Sequence, residues 1–208
     1  MSKIFSFIQM KSIIPFPIIL LIFLSIIACD SKQEGTESLK ENETEVQNIA
    51  ISKLFAEAVK SDSLGDYANS VRLYSEILSI DNNFTGALIN RATAFINLGD
   101  TTAGFNDLNR AVIYAPHAKT YYSRGTAYVF LKTHLDIAKS DLLNAIVLDP
   151  DFSGPYYSMS LLELAKNQPD SCTYYLKIGD QMGYNPAMSA QIKSELSRLS
   201  KDLKSKNE

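Results

Sequence analysis

The chain has 208 residues, of which 46% are hydrophobic and 21% are charged, and its formal net charge is −3. This length and composition are typical of one folded domain with an accessory segment. Because the chain has no basic surplus, nucleic acid is not expected as a partner.

The first 28 residues predict a secretory signal peptide. Their only charged residues are Lys3 and Lys11, and an apolar run extends from Ile13 to Ile27. The run is shorter than the roughly 20 apolar residues that a membrane-spanning helix needs. A lightly basic start followed by a short apolar run fits a signal peptide better.

The apolar run ends in Ile26-Ile27-Ala28-Cys29, which resembles the lipobox of bacterial lipoproteins. The resemblance implies cleavage before Cys29 and lipidation of Cys29 by more than one acyl chain, which gives a stable anchor. We therefore expect a cell-envelope protein, lipid-anchored to a bacterial membrane, with the outer membrane favoured over the inner. The alternative is an ordinary signal peptide or short anchor followed by a chance cysteine, and Asp30 does not decide between the leaflets.

Residues 29–48 predict a flexible acidic tether that starts at the lipidated cysteine. The stretch DSKQEGTESLKENETEVQN is polar and has no apolar period. Such a segment cannot bury enough apolar surface to offset its chain entropy.

Beyond the tether, small residues recur at intervals of 33 to 35 residues. A first small position is occupied by Ala58, Ala92, Gly125 and Ser160, and a second by Ser70, Gly104, Ala138 and Cys172. A large residue follows the second position by four residues in every copy, at Tyr74, Leu108, Leu142 and Leu176. This spacing predicts helical hairpins whose two helices cross closely at the small residues.

The pattern resembles the tetratricopeptide-repeat (TPR) family, whose unit is about 34 residues long. The best copy has Tyr121, Gly125 and Tyr128 on its first helix and Ala138, Leu142 and Ala145 on its second, before Pro150. The resemblance implies an all-α fold, a right-handed TPR solenoid of about four helix-turn-helix repeats within residues 49–184. The repeat ranges are 51–84, 85–117, 118–152 and 153–184, and an apolar stripe predicts a capping helix in residues 185–208.

In the TPR family, the first helix of each repeat lines a concave groove that binds ligands. The resemblance places two rows of residues there, one formed by Phe55, Ile89, Tyr122 and Tyr157 and the other by Val59, Thr93, Thr126 and Leu161. This lining suits a protein or peptide partner with hydrophobic anchors. The alternative is that the large residues only pack between neighbouring helices.

A known TPR clamp for terminal carboxylates is disfavoured. Asn90 and Lys119 match that clamp, but Phe55, Val59 and Ser123 occupy its other positions.

No motif for catalysis, phosphate binding or metal binding is present in the sequence. We therefore expect no enzyme, no catalytic residue, no cofactor and no metal site. His117 and His134 are expected in solvated turns, Cys172 in the core and Asp141 on a helix surface.

Together these features predict a membrane-anchored interaction scaffold or adaptor in the bacterial cell envelope. The alternative is an accessory or carrier subunit of an envelope enzyme or transport system, with a glycan or small ligand in the groove. An exposed aromatic pair beside polar groups would favour the glycan, and a continuous apolar lining would favour the protein partner.

Overall fold

The computed structural model of the protein describes residues 44–183 and 185–205. The predicted signal peptide, Cys29 and residues 29–43 of the predicted tether lie outside these residues. The described residues from 51 onward form one compact unit. The described residues contain nine helices and no strand, which confirms the prediction of an all-α fold.

Eight of the helices pair into four hairpins, one for each predicted repeat, and the ninth follows them; only the first hairpin begins before its predicted range. The first helix, α1, covers residues 44–63. The others are α2 (Tyr67–Ile80), α3 (Thr85–Asn97), α4 (Thr101–Tyr114), α5 (Ala118–Phe130), α6 (Leu135–Leu148), α7 (Ser153–Ala165), α8 (Pro169–Met182) and α9 (Pro186–Ser205). Residues 44–48, which the sequence assigned to the tether, are helical, because extending an existing helix needs no new nucleus.

The turn inside each hairpin contains a residue with a left-handed backbone. In the first two hairpins this residue is Gly65 or Gly99, with φ of +75° and +88°, a region that glycine enters without steric cost. The next residue, Asp66 or Asp100, caps the following helix through its side chain. Lys132 and Asn167 take the left-handed backbone in the third and fourth hairpins.

The small residues lie where the two helices of each hairpin cross. In the third repeat, a Cβ added to Gly125 would lie 3.0 Å from Leu142 Cγ and 3.2 Å from the Ala138 carbonyl oxygen. In the fourth repeat, Ser160 Oγ donates a hydrogen bond of 2.8 Å to the Cys172 carbonyl oxygen. These contacts confirm the register that was predicted from the sequence.

Two buried ion pairs also recur with the repeat. Arg124 donates two hydrogen bonds of 2.8 Å to the carboxylate of Asp141, and Arg91 makes the same bidentate contact with Asp107. These hydrogen bonds raise the pKa of the Arg124 guanidinium, although its burial opposes them. The prediction that Asp141 is a surface acid is wrong, because Arg124 neutralises it inside the hairpin.

Most of the buried apolar residues of the unit fall into three clusters, and Leu108 of α4 is buried outside them. The first cluster lies within residues 51–111, in the first and second repeats. The second lies within residues 122–175, and the third joins the fourth repeat to α9 within residues 157–196. Leu161 packs against both the second and the third cluster.

Candidate functional site

The row of large residues that was predicted to line the groove is partly buried. Ile89 and Tyr157 are only 7% and 2% exposed, so their side chains belong to the core. Phe55 and Tyr122 are half-buried and pack against the aromatic residue that caps the first helix of the following repeat. These positions match the alternative interpretation, in which the row packs between neighbouring helices.

Phe55 and Tyr122 are each held by the phenylalanine that caps the next repeat's first helix and by a glycine of that helix. Phe84 contacts Phe55 edge to face at 5.7 Å between ring centroids. A Cβ on Gly86 would lie 3.2 Å from Phe84 and 3.3 Å from Phe55, so glycine leaves room for both rings. We call this arrangement an aromatic clasp.

A second aromatic clasp joins the third and fourth repeats. Phe152 contacts Tyr122 edge to face at 4.8 Å, and a Cβ on Gly154 would lie 2.9 Å from Phe152 and 3.0 Å from Tyr122. The Phe-x-Gly spacing of both clasps is visible in the sequence, but it was not recognised there.

The second predicted row remains accessible along the first helices of the repeats. Val59 is 44% exposed and Thr93 is exposed, whereas Thr126 and Leu161 are half-buried. Thr126 Oγ1 and Ser158 Oγ share a hydrogen bond of 2.9 Å between α5 and α7. Side chains of this row can therefore contact a ligand.

Thr126 and Leu161 line an open cavity of about 760 Å³ between α5, α7 and α9. We call it the C-terminal groove. Its larger apolar lining residues are Val129, Phe130, Leu161, Leu164, Met188 and Leu199, and its charged lining residues are Lys132, Glu195 and Arg198. Phe130 is 74% exposed, although phenylalanine is among the residue types that are most often buried.

One wall of the C-terminal groove is α9, so this helix does more than cap the last repeat. Ile192 of α9 is fully buried against the fourth repeat. The carboxylate of Asp180 accepts hydrogen bonds from Tyr157 Oη (2.7 Å), Ser189 Oγ (3.0 Å) and Lys193 Nζ (3.4 Å). These contacts fix α9 relative to α7 and α8.

The hydrogen bonds to Asp180 also lower the pKa of its carboxyl group. Burial raises the pKa of this carboxyl, but the hydrogen bonds from Tyr157, Ser189 and Lys193 outweigh burial and hold the pKa below its ordinary value. The charged form therefore stabilises the fold at neutral pH, and this stabilisation is lost as the pH falls through the folded-state pKa.

The charged side chains that line the C-terminal groove give it a net charge close to zero. Arg198 and Glu195 of α9 form an ion pair with each other at 3.1 Å. Lys132 lies at the end of α5 and contributes a positive charge to the rim. A lining with many apolar and few charged groups resembles the core of a protein–protein interface, where charged residues are depleted.

The two residues that match the carboxylate clamp do not form one. Asn90 Nδ2 donates to Tyr74 Oη at 3.1 Å, and Tyr74 Oη donates to Asp62 at 2.7 Å. Burial, followed by the hydrogen bond to Asp62, raises the pKa of Tyr74, so the phenol stays a donor. Lys119 is exposed.

The remaining candidates for chemistry have structural roles. His117 is the N-cap of α5 and accepts a hydrogen bond from the Thr120 amide. Cys172 lies in the core, as predicted, and its burial raises the pKa of the thiol, which keeps the thiol protonated.

Among the described residues, no three acidic, histidine or cysteine side chains are grouped as metal ligands. No helix in the described ranges combines the length and the apolar composition of a membrane span.

The hairpins define a helical-repeat protein, and solved structures identify the kind of repeat. No protein-family model matches the chain. A tetratricopeptide repeat protein of Parabacteroides merdae superposes with a TM-score of 0.61 at 19% identity, over 72% of this chain and 59% of its own length. A thermophilic TPR protein of Thermus thermophilus superposes with a TM-score of 0.63 at 20% identity, over 74% of this chain and 82% of its own.

PilF of Pseudomonas aeruginosa is also similar, with a TM-score of 0.66 at 16% identity over 75% of this chain and 71% of its own length. At these identities the similarity establishes the fold. The chain therefore has the tetratricopeptide-repeat fold, as its sequence predicted. It spans 59% of the length of the Parabacteroides protein.

Proposed function

We propose that this protein is a lipid-anchored adaptor, which holds a protein partner at a membrane of the bacterial envelope. The observation that carries the proposal is the apolar C-terminal groove with the exposed ring of Phe130 on its rim. Large exposed aromatic residues beside an apolar cavity are frequent binding hot spots. Stacked helical repeats present extended binding surfaces of this kind.

The lining of the C-terminal groove favours a protein partner over a glycan. A glycan site would need an exposed pair of aromatic rings beside polar groups. Tyr122 and Phe152 are instead half-buried against each other, and Phe130 stands among aliphatic side chains. A helical or extended peptide with apolar anchors suits this surface better.

Phe130→Ala should weaken partner binding by about tenfold, which corresponds to the loss of one interface hot spot. Because the ring is exposed, the stability of the protein should change by no more than about 0.5 kcal/mol. The partner can be identified in cells with a photo-reactive amino acid at position 130, followed by mass spectrometry. Binding of the purified partner is then compared between the wild type and the variant.

Val147 provides the matched control, because it is 77% exposed and lies on α6, outside the groove lining. Val147→Ala should leave binding unchanged, and a photo-reactive amino acid at position 147 should not capture the same partner. Equal capture from both positions would contradict the groove as the binding site.

The anchor is tested separately at Cys29. Cys29→Ala should prevent acylation and release the protein from membranes, because the acyl chains supply the membrane affinity. Metabolic labelling with a clickable fatty acid should mark the wild type and not the variant. A mature wild-type protein that carries no label, or that begins at another residue, would contradict the anchor without affecting the groove.

A further inference from the structure

We propose that the boundary between the second and third repeats is a hinge, about which residues 51–114 and 118–201 move as two rigid halves. The hinge is independent of the identity of the partner. Apolar packing, the aromatic clasps and the contacts that cross the boundary all indicate it.

Apolar packing is continuous within each half. The first cluster lies in residues 51–111, and the second and third share Leu161 and lie in residues 122–196. None of these three clusters of described residues includes side chains from both halves. Since burial of apolar surface is the main source of stability at repeat interfaces, the coupling between the halves is weak.

The aromatic clasp is present on both sides of the boundary but not at the boundary itself. Where the other interfaces have Phe84 with Gly86 and Phe152 with Gly154, this interface has His117 and Lys119. His117 caps its own helix, and Lys119 is exposed. The boundary therefore lacks the phenylalanine and the glycine that make up a clasp.

Among the described residues, few polar and aromatic contacts cross the boundary. Arg124 Nη1 donates to Asn109 Oδ1 at 3.0 Å. The rings of Phe105 and Tyr128 stack at 4.2 Å with their planes 18° apart. The backbones of α4 and α5 approach each other over fewer residues than those of α2 and α3 or of α6 and α7. Parallel rings can slide while they stay in contact, so these contacts tolerate a change of angle.

The hinge leaves the C-terminal groove intact, because α5, α7 and α9 all belong to the second half. Val59 and Thr93 belong to the first half. A ligand that contacted them as well as the C-terminal groove would fix the angle between the halves.

The hinge can be tested by measuring distances between spin labels with electron–electron double resonance in the full-length protein. Labels attached to an unnatural keto amino acid leave both cysteines untouched. The pair Lys60 and Ser140 spans the boundary, whereas Lys60 with Asn106, and Ser140 with Gln191, each lie within one half. We expect a broad distance distribution for the first pair and narrow distributions for the other two. An equally narrow distribution for all three pairs would overturn the proposal.

A designed clasp gives a second, independent test. The double substitution His117→Phe and Lys119→Gly places the clasp residues at the boundary and should narrow the distance distribution between positions 60 and 140. The double substitution His117→Ala and Lys119→Ala changes the same residues without adding a ring and should leave the distribution broad. If both double variants narrow the distance distribution between positions 60 and 140, or if neither variant does, the clasp does not couple the repeats. Either result contradicts the proposal.

Discussion

Asp141→Ala should lower the free energy of unfolding of the repeat unit by about 3–5 kcal/mol, because it leaves Arg124 buried without its carboxylate partner. The side chains of Asp141 and Arg124 are 3% and 19% exposed, and both oxygens of the carboxylate accept hydrogen bonds from the guanidinium. Water can therefore replace only part of the lost interaction. Urea unfolding followed by circular dichroism measures the change.

The fourth repeat suggests how the lost stability can be recovered. At the positions that correspond to Arg124 and Asp141 it has Met159 and Tyr175, which belong to the second apolar cluster. Replacing a buried ion pair by well-packed apolar residues is often neutral or stabilising. The double substitution Arg124→Met and Asp141→Tyr should therefore be clearly more stable than Asp141→Ala alone.

An exposed ion pair provides the control. Lys166 pairs with Asp136, whose side chain is 99% exposed, so Lys166→Ala should cost less than about 1 kcal/mol. If Asp141→Ala costs no more than Lys166→Ala, the buried pair does not stabilise the hairpin.

The register of the hairpins could be predicted because close helix crossings admit only small residues. Gly125, Ala138 and their equivalents are small in every repeat, so the sequence shows the crossing directly. The ion pairs were missed, although Arg91 and Asp107 recur as Arg124 and Asp141. The sequence alone does not show whether an acidic residue on a polar helix face is exposed to water or contacts a guanidinium group of the neighbouring helix.

The lining of the groove was harder to predict than the register of the hairpins, because residues at equivalent positions of different repeats differ in their exposed fraction. Tyr122 and Tyr157 occupy the same place in two repeats, but only Tyr157 has α9 and Asp180 beside its hydroxyl. The wall that α9 contributes depends on how the last helix docks, which follows from contacts between residues distant in sequence. Repeat spacing carries no information about such contacts.

Tyr157→Ala should lower the free energy of unfolding by about 3–5 kcal/mol, as expected for the removal of a large ring from a core. The ring is 2% exposed and packs in the cluster that joins the fourth repeat to α9. Its hydroxyl donates to Asp180 at 2.7 Å and accepts from the Asn185 amide at 3.0 Å. The variant should therefore also release α9, which hydrogen exchange followed by mass spectrometry detects.

Tyr157→Phe separates the hydroxyl from the ring. It should cost about 1–3 kcal/mol, because the charged carboxylate of Asp180 loses a hydrogen bond while the ring still fills the core. In both variants partner capture should fall together with the protection of α9, since α9 forms a wall of the C-terminal groove. A Tyr157→Ala variant that melts like the wild type but no longer captures the partner would contradict this prediction. The ring of Tyr157 would then contact the ligand and would not belong to the core.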